Sequence, residues 1–215
     1  MLVPPTFVTV SEGHRLAVRR GGHGGVPLLL LHGFPCTSLI WSHNVEPLAA
    51  VGFDVAAPDL RGYGDSDFAP DGFYDFAAFN ADLIGLLDAL GWERAVVAGN
   101  DLGAMVAIDL ANRHPDRVDR LVVLDDSMPD LPDAFAAAGI PPGTPKPAIY
   151  DYQRRQGLHA DELVAERCAV AYPQVVGPFW VPGAGHFMPW EKPTVVNRAI
   201  RAFCGDLLAT RGGAA

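Results

Sequence analysis

The stretch VVAGNDLGAM, residues 96–105, runs from an apolar segment through Gly-x-Asp-x-Gly directly into a helical pattern. Glycines at 99 and 103 allow a sharp turn and close helix packing, so the side chain of Asp101 is expected to project at the carboxyl end of a sheet. The helix amino terminus beneath it offers unpaired N–H groups to negative charge. Aspartate is also a good helix N-cap, so this stretch alone leaves two interpretations of Asp101, a nucleophile or a cap.

Around this stretch, short apolar segments alternate with longer helical patterns. The alternation predicts an α/β fold with a mostly parallel sheet and helices on both faces. Segments 7–10 and 16–20 are expected to form an opening antiparallel hairpin. Further strands are predicted at 26–31, 54–57, 95–98 and 121–124, and helices at 76–90, 102–113 and 194–208.

Residues 127–148 interrupt this rhythm with six prolines among alanine and glycine, which excludes a sheet interior. We expect 127–159 to form a lid or cap remnant, with an unstructured linker as the alternative. Residues 1–126 and 160–215 then form one core. A helix at 160–172 and a strand at 176–181 are predicted within its second part.

The segment His32-Gly33-Phe34-Pro35 follows the predicted strand 26–31. Gly33 lets the backbone turn over the sheet edge, which is expected to place the N–H of Phe34 beside that of Leu102 as a pair of oxyanion donors. His32 is interpreted as structural.

Two later segments supply a base and an acid. His186 lies on a glycine-rich loop, 182–187, after a predicted strand, where a general base is expected. Asp125 follows the strand 121–124, so it is expected to emerge next to Asp101 and to orient the imidazole. Asp126 is the alternative acid, and an ordinary turn acid and an idle surface histidine are the competing interpretations.

Composition limits the classes of partner. The chain of 215 residues has 16 Lys plus Arg against 25 Asp plus Glu, a formal charge of −9. This charge disfavours nucleic acid and anionic membranes and favours a small molecule. Three cysteines are too few for a disulfide framework, and neither a secretion signal nor a membrane span is evident, so a cytoplasmic location is expected. The oligomeric state stays open, a homodimer being one option.

Four ordered motifs resemble the α/β-hydrolase superfamily, in its branch with an Asp nucleophile. They are His-Gly-Phe-Pro at 32–35, Asp-Leu-Arg-Gly-Tyr-Gly-Asp-Ser at 59–66, Gly-Asn-Asp-Leu-Gly at 99–103 and Gly-Ala-Gly-His-Phe at 183–187. The branch contains soluble epoxide hydrolases and haloalkane and haloacetate dehalogenases. The resemblance implies an Asp101–His186–Asp125 triad, an ester intermediate on Asp101, and no cofactor or metal.

Within this branch the residues after the nucleophile discriminate. Haloacetate dehalogenases carry arginines there and haloalkane dehalogenases a tryptophan, whereas this chain has Leu102 and Met105. Epoxide hydrolases often carry the tryptophan too, but their chemistry requires instead an acid that protonates the opening ring. Epoxide opening is therefore favoured, with lid tyrosines as proton donors, for which Tyr150 and Tyr152 are the candidates; simple packing is their alternative role. Hydrolytic dehalogenation, or a binding protein with little turnover, are the alternative functions.

A small apolar organic substrate and water are the expected partners. Phe34, Trp41, Phe187 and Trp190 suggest an apolar cavity, with packing in the core as the alternative for each. The path from Asp125 to the histidine loop is shorter than in the family. A cap domain that is reduced or missing is therefore expected, either in a naturally minimal enzyme or in a deleted or incompletely represented chain.

Overall fold

The computed structural model describes residues 3–10, 13–124, 181 and 184–212. Six strands in this part form one sheet in the order β1-β2-β4-β3-β5-β6. The strands are β1 Thr6–Thr9, β2 Arg15–Gly21, β3 Val26–Leu31, β4 Phe53–Pro58, β5 Ala95–Asn100 and β6 Val118–Leu124. β1 and β2 pair antiparallel, as do β2 and β4, while β4, β3, β5 and β6 run parallel. The predicted hairpin and mostly parallel sheet are confirmed.

The helices follow the strands along the chain. The described part contains a 3₁₀ helix, Ser38–Trp41, and the helices α1 Val45–Ala49, α2 Phe76–Ala89, α3 Leu102–Arg113, α4 Met188–Glu191, α5 Pro193–Phe203 and α6 Gly205–Gly212. None of these helices has the length and apolarity that crossing a membrane requires.

Alternate residues of β3 enter two separate cores. Leu29 and Leu31 pack with residues of α2 and α3, whereas Leu28 and Leu30 pack with residues of α1 and α5. All four side chains are completely buried, each stabilising the fold by about 1.5–3 kcal/mol relative to exposure. Burial of both faces explains why this strand is one uninterrupted apolar run, and it confirms helices on both sides of the sheet.

Four helical features differ from the sequence predictions. The closing helix predicted at 194–208 is two helices, α5 and α6, separated at Cys204. The 3₁₀ helix and α1 were not predicted, because four or five residues are too few to show a helical period. The short helix α4 escapes prediction for the same reason.

Contacts between Cα atoms divide the chain into two compact units. The first, Met1–Ser127 with Ala184–Ala215, carries the sheet. The second, Met128–Gly183, falls outside the described residues except for Val181. The predicted lid 127–159, the predicted helix 160–172 and the predicted strand 176–181 up to residue 180 lie outside the described residues. The predicted domain boundaries and reduced cap stay predictions.

Candidate active site

Asp101 occupies a strained turn between β5 and α3. Its backbone has φ 54° and ψ −122°, and it is the one non-glycine residue in the described part with a positive φ. Such a conformation costs on the order of 1–3 kcal/mol and persists only where the surroundings impose it. Here the N–H of Asp101 donates to the carbonyl of Leu124 at 3.1 Å, and the Asp101 carbonyl accepts from Ala104 N at 2.9 Å.

The side chain of Asp101 is not the cap of α3. It makes no capping hydrogen bond, although its backbone holds the N-cap position. The capping interpretation is therefore wrong, because Oδ1 of the carboxylate accepts instead from the backbone of Phe34, in the loop after β3. The strain thus holds a carboxylate at the carboxyl edge of the sheet, where the sequence predicts a nucleophile.

Gly103 permits this turn by close backbone approach. A Cβ atom at this position would lie 2.4 Å from the carbonyl oxygen of Leu31 and 2.6 Å from that of His32. Neither atom is at the free end of a flexible side chain. The start of α3 therefore packs against the end of β3 only because position 103 lacks a side chain.

Gly103→Ala is expected to lower the free energy of unfolding by about 1–3 kcal/mol, since the added methyl group forces the two backbones apart. Urea denaturation measures this loss. Gly205→Ala is the matched control, because a Cβ at Gly205 meets nothing within 4 Å. Equal stability of the two variants would contradict the close-approach account.

The loop after β3 reaches the same carboxylate. The N–H of Phe34 donates to Oδ1 of Asp101 at 2.8 Å. A Cβ at Gly33 would lie 2.5 Å from the Cβ of Asp101, so only glycine allows the loop to approach this closely. Leu102 is the first residue of α3, so its N–H has no acceptor within the helix. Of the two N–H groups predicted as oxyanion donors, that of Phe34 thus binds the Asp101 carboxylate, and that of Leu102 belongs to the residue that follows Asp101 in the chain.

His186 faces the other oxygen of the carboxylate. Its Nε2 lies 3.7 Å from Oδ2 of Asp101, and both side chains are partly exposed. This separation exceeds a hydrogen bond and suits a base that acts on a water molecule beside the carboxylate. The structure thus brings Asp101, His186 and Phe34 together, while their catalytic roles remain predictions.

The histidine loop is held by Glu191, which sequence reasoning missed. Its Oε2 accepts from the N–H of Gly185 at 2.7 Å, and its Oε1 accepts from the N–H of Phe187 at 3.0 Å. The carboxylate therefore binds the residues on both sides of His186. A glutamate five residues after a histidine is a weak signal, because the groups that donate to it are backbone N–H groups, which no sequence pattern identifies.

Glu191→Gln is expected to lower the rate of any reaction at this site about 2- to 10-fold. An amide nitrogen cannot accept from a backbone N–H, so one of the two hydrogen bonds to the histidine loop is lost, a loss of about 0.5–1.5 kcal/mol. The melting temperature should change little, since Glu191 is exposed. Steady-state kinetics measure the effect, with Glu46→Gln, at another exposed helical glutamate, as the control. Identical kinetics of both variants would show that the loop keeps its conformation without this carboxylate.

An open apolar depression of about 650 Å³ lies beside the turn. Its wall includes the two predicted oxyanion residues and four aromatic side chains, namely Phe34, Leu102, Tyr63, Tyr74, Phe76 and Phe79. Burial, and then the negative charge of Asp101, raise the pKa of Tyr63, so its hydroxyl keeps its proton. The four aromatic residues were not predicted as site residues, although Tyr63 falls within the motif at 59–66.

The other residues predicted for the site lie in different parts of the chain's structure or outside the described residues. Trp41 is completely buried and packs in the core with α1, which fits the packing alternative. Phe187 is 40% exposed and its ring lies 5.0 Å from that of His186, at the rim of the site. Asp125, Tyr150 and Tyr152 lie outside the described residues. The strand before Asp125 ends at Leu124, which pairs with Asn100 immediately before Asp101.

Within the described ranges, no group of three or more His, Cys, Asp or Glu side chains is arranged to hold a metal ion. Because this search covers only part of the chain, the expectation that no metal or cofactor takes part stays a prediction.

Comparison with known proteins places this site in a family context. The model of the alpha/beta hydrolase fold family matches residues 26–180. Epoxide hydrolase A of Mycobacterium tuberculosis is 42% identical over 137 residues, covering 62% of this chain and 42% of that protein. Epoxide hydrolase 3 of Siraitia grosvenorii is 40% identical over 116 residues, covering 53% of this chain and 36% of the relative. The chain thus spans less than half the length of these curated relatives.

Among solved structures, too, epoxide hydrolases are similar to part of this chain. An epoxide hydrolase of Vigna radiata aligns with a TM-score of 0.52 and 32% identity, over 55% of this chain and 37% of that one. An epoxide hydrolase from an endophytic Streptomyces aligns with a TM-score of 0.52 and 36% identity, over 55% of this chain and 36% of the other. The family model matches most of the chain, including the strained turn after β5. The chain therefore belongs to the α/β-hydrolase fold family.

Proposed function

We propose that this chain hydrolyses an epoxide of a small apolar molecule through an ester on Asp101. The observation that carries the proposal is the different surroundings of the two carboxylate oxygens. Oδ1 accepts a hydrogen bond from the backbone of Phe34, whereas Oδ2 faces the imidazole of His186. Such an arrangement suits a carboxylate that becomes an ester, because the carbonyl oxygen and the bonding oxygen need different neighbours.

In the first step Oδ2 of Asp101 attacks an epoxide carbon. A new carbon–oxygen bond forms and the ring carbon–oxygen bond breaks, which leaves negative charge on the former ring oxygen. A neighbouring acid donates a proton to that oxygen, and Tyr150 and Tyr152 remain the predicted donors. Aspartate is generally ionised at neutral pH, so this attack needs no base.

In the second step His186 removes a proton from water, which attacks Cγ of the ester. The charge that develops on Oδ1 is stabilised by the N–H of Phe34, already 2.8 Å away, and by that of Leu102. Losing one such donor costs about 2.7–4 kcal/mol in comparable sites. Collapse of the intermediate breaks the bond between Cγ and Oδ2, and the imidazolium of His186 gives its proton to the leaving alkoxide, which completes the diol. The proton left on the Asp101 carboxyl group returns to the acid that protonated the ring oxygen in the first step. Asp125 is the proposed orienting partner of the imidazole.

Epoxide opening is favoured over dehalogenation by the residues around Asp101. Leu102 and Met105 stand where the dehalogenases of this branch carry halide- or carboxylate-binding side chains. The depression next to Asp101 is mostly aromatic, which suits an apolar molecule. The relatives named above are epoxide hydrolases, which agrees with this choice.

A panel of epoxides and organohalides tests the proposal with the purified chain. We expect diol formation from apolar epoxides and no halide release. Halide release without diol formation would support the dehalogenase alternative and contradict the proposal. Binding of epoxides without any product would instead support a binding protein.

A further inference from the structure

His32, which sequence reasoning treats as structural, connects two backbone segments behind the site. Its ring is completely buried. Nε2 lies 3.0 Å from the backbone nitrogen of Leu60, and Nδ1 lies 3.0 Å from the carbonyl oxygen of Gly33. The ring of Tyr63 packs edge-on against it at 5.1 Å.

These contacts determine where the imidazole carries its proton. The N–H of Leu60 is a donor, so Nε2 must accept and therefore carries no hydrogen. Burial lowers the pKa of His32 against the smaller opposing effects of the Gly33 carbonyl and Asp59, so the ring is neutral. A neutral ring with a bare Nε2 has its hydrogen on Nδ1, which donates to the Gly33 carbonyl.

The Gly33 carbonyl and the Phe34 N–H belong to the same planar peptide group. The orientation of one therefore fixes the orientation of the other. The N–H of Cys36 donates to the same carbonyl at 2.9 Å, so two donors hold this side of the peptide. On the opposite side the Phe34 N–H donates to Oδ1 of Asp101.

We propose that His32 is a positioning residue of the oxyanion site, which holds and polarises the Gly33–Phe34 peptide through Nδ1–H. Hydrogen bonds in series strengthen one another, so a donor on the carbonyl makes the N–H of the same peptide a better donor. The effect on catalysis rests on the proposed function, in which this N–H stabilises the charge on Oδ1. The geometric part does not depend on that function.

The first test uses the unmodified protein. Nitrogen NMR of protein with labelled histidine distinguishes the two neutral tautomers and the cation. We expect His32 to be neutral with hydrogen on Nδ1 throughout the neutral pH range. Hydrogen on Nε2, or a cationic ring, would overturn the proposal, and this measurement decides even where a variant fails to fold.

The second test separates the two hydrogen bonds of His32 with matched variants. In His32→Asn the side-chain amide nitrogen takes the place of Nδ1 and keeps the donor to Gly33. In His32→Gln the side-chain oxygen takes the place of Nε2 and keeps the acceptor for Leu60. Each variant retains one bond and loses the other, so their thermal stabilities should fall by similar amounts.

The Gly33–Phe34 peptide is observed with carbon-labelled glycine and nitrogen-labelled phenylalanine. The sequence contains two other Gly–Phe peptides, Gly52–Phe53 and Gly72–Phe73, which serve as internal controls. We expect the Gly33–Phe34 signal to move in His32→Gln and to stay near its original position in His32→Asn, with both controls unmoved. A larger movement in His32→Asn, or equal movement in both, would overturn the positioning role.

Ester hydrolysis provides the catalytic test. We expect the rate to fall about tenfold in His32→Gln, which is the loss of roughly one hydrogen bond, and less than about threefold in His32→Asn. Equal losses in both variants would contradict the proposal. If the chain turns over no epoxide, the proposed function fails, while the tautomer and the peptide signal still decide the positioning role.

Discussion

Asp101→Asn is expected to lower epoxide turnover by about 10⁴-fold or more, the scale on which loss of a nucleophile acts in comparable covalent mechanisms. The amide keeps an oxygen that accepts from the N–H of Phe34, so the local hydrogen bond persists. What disappears is the negative charge on the oxygen facing His186. The loss should therefore fall on kcat, with substrate binding retained.

Steady-state kinetics and a thermal melt check this prediction together. Asp116→Asn is the matched control, because Asp116 is exposed and follows the end of α3, whereas Asp101 precedes its start. We expect the control to keep both activity and stability. Residual turnover within tenfold of the unmodified protein would show that Asp101 is not the nucleophile.

His186→Gln is expected to stop the reaction after the first step, because Oδ2 can attack without a base but water cannot. Ester hydrolysis should slow by about 10²–10⁴-fold, the usual contribution of a general base. A stoichiometric burst of epoxide consumption should follow mixing. Mass spectrometry of the intact protein should then find the mass of protein plus substrate.

The matched control is His23→Gln, at an exposed histidine in the turn after β2. It should show full turnover and no accumulated adduct. Recovery of only free protein from His186→Gln, with an epoxide that the unmodified protein hydrolyses, would contradict the role of His186 as the base.

The sheet and the turn at Asp101 were predictable because their signals are local. An apolar run such as Val26–Leu31 is buried on both faces wherever it folds, and its bounds in the structure agree with the prediction. The helix Leu102–Arg113 also begins and ends as predicted, since its period and the preceding Gly-x-Asp-x-Gly lie within one segment. Local sequence therefore located the turn and the carboxylate.

The features that could not be predicted from the sequence depend on contacts between distant segments. The bond from Phe34 to Asp101 joins loops 67 residues apart, and no pattern in either loop states which oxygen accepts. The roles of Glu191 and His32 are hidden because both bind backbone groups, which every sequence supplies. The capping role left open for Asp101 failed for the same reason, since the direction of its side chain depends on Gly33 and Leu124 as well as on its own helix.

The ester on Asp101 is tested most directly by a single turnover in water enriched in heavy oxygen, with enzyme in excess over epoxide. Attack by the carboxylate transfers its own ordinary oxygen to the diol and takes the heavy oxygen from water into Asp101. We therefore predict an unlabelled diol and label in the tryptic peptide Ala95–Arg113, located at Asp101 by fragmentation. A labelled diol with an unlabelled peptide would mean that water attacks the epoxide directly, which contradicts the ester mechanism.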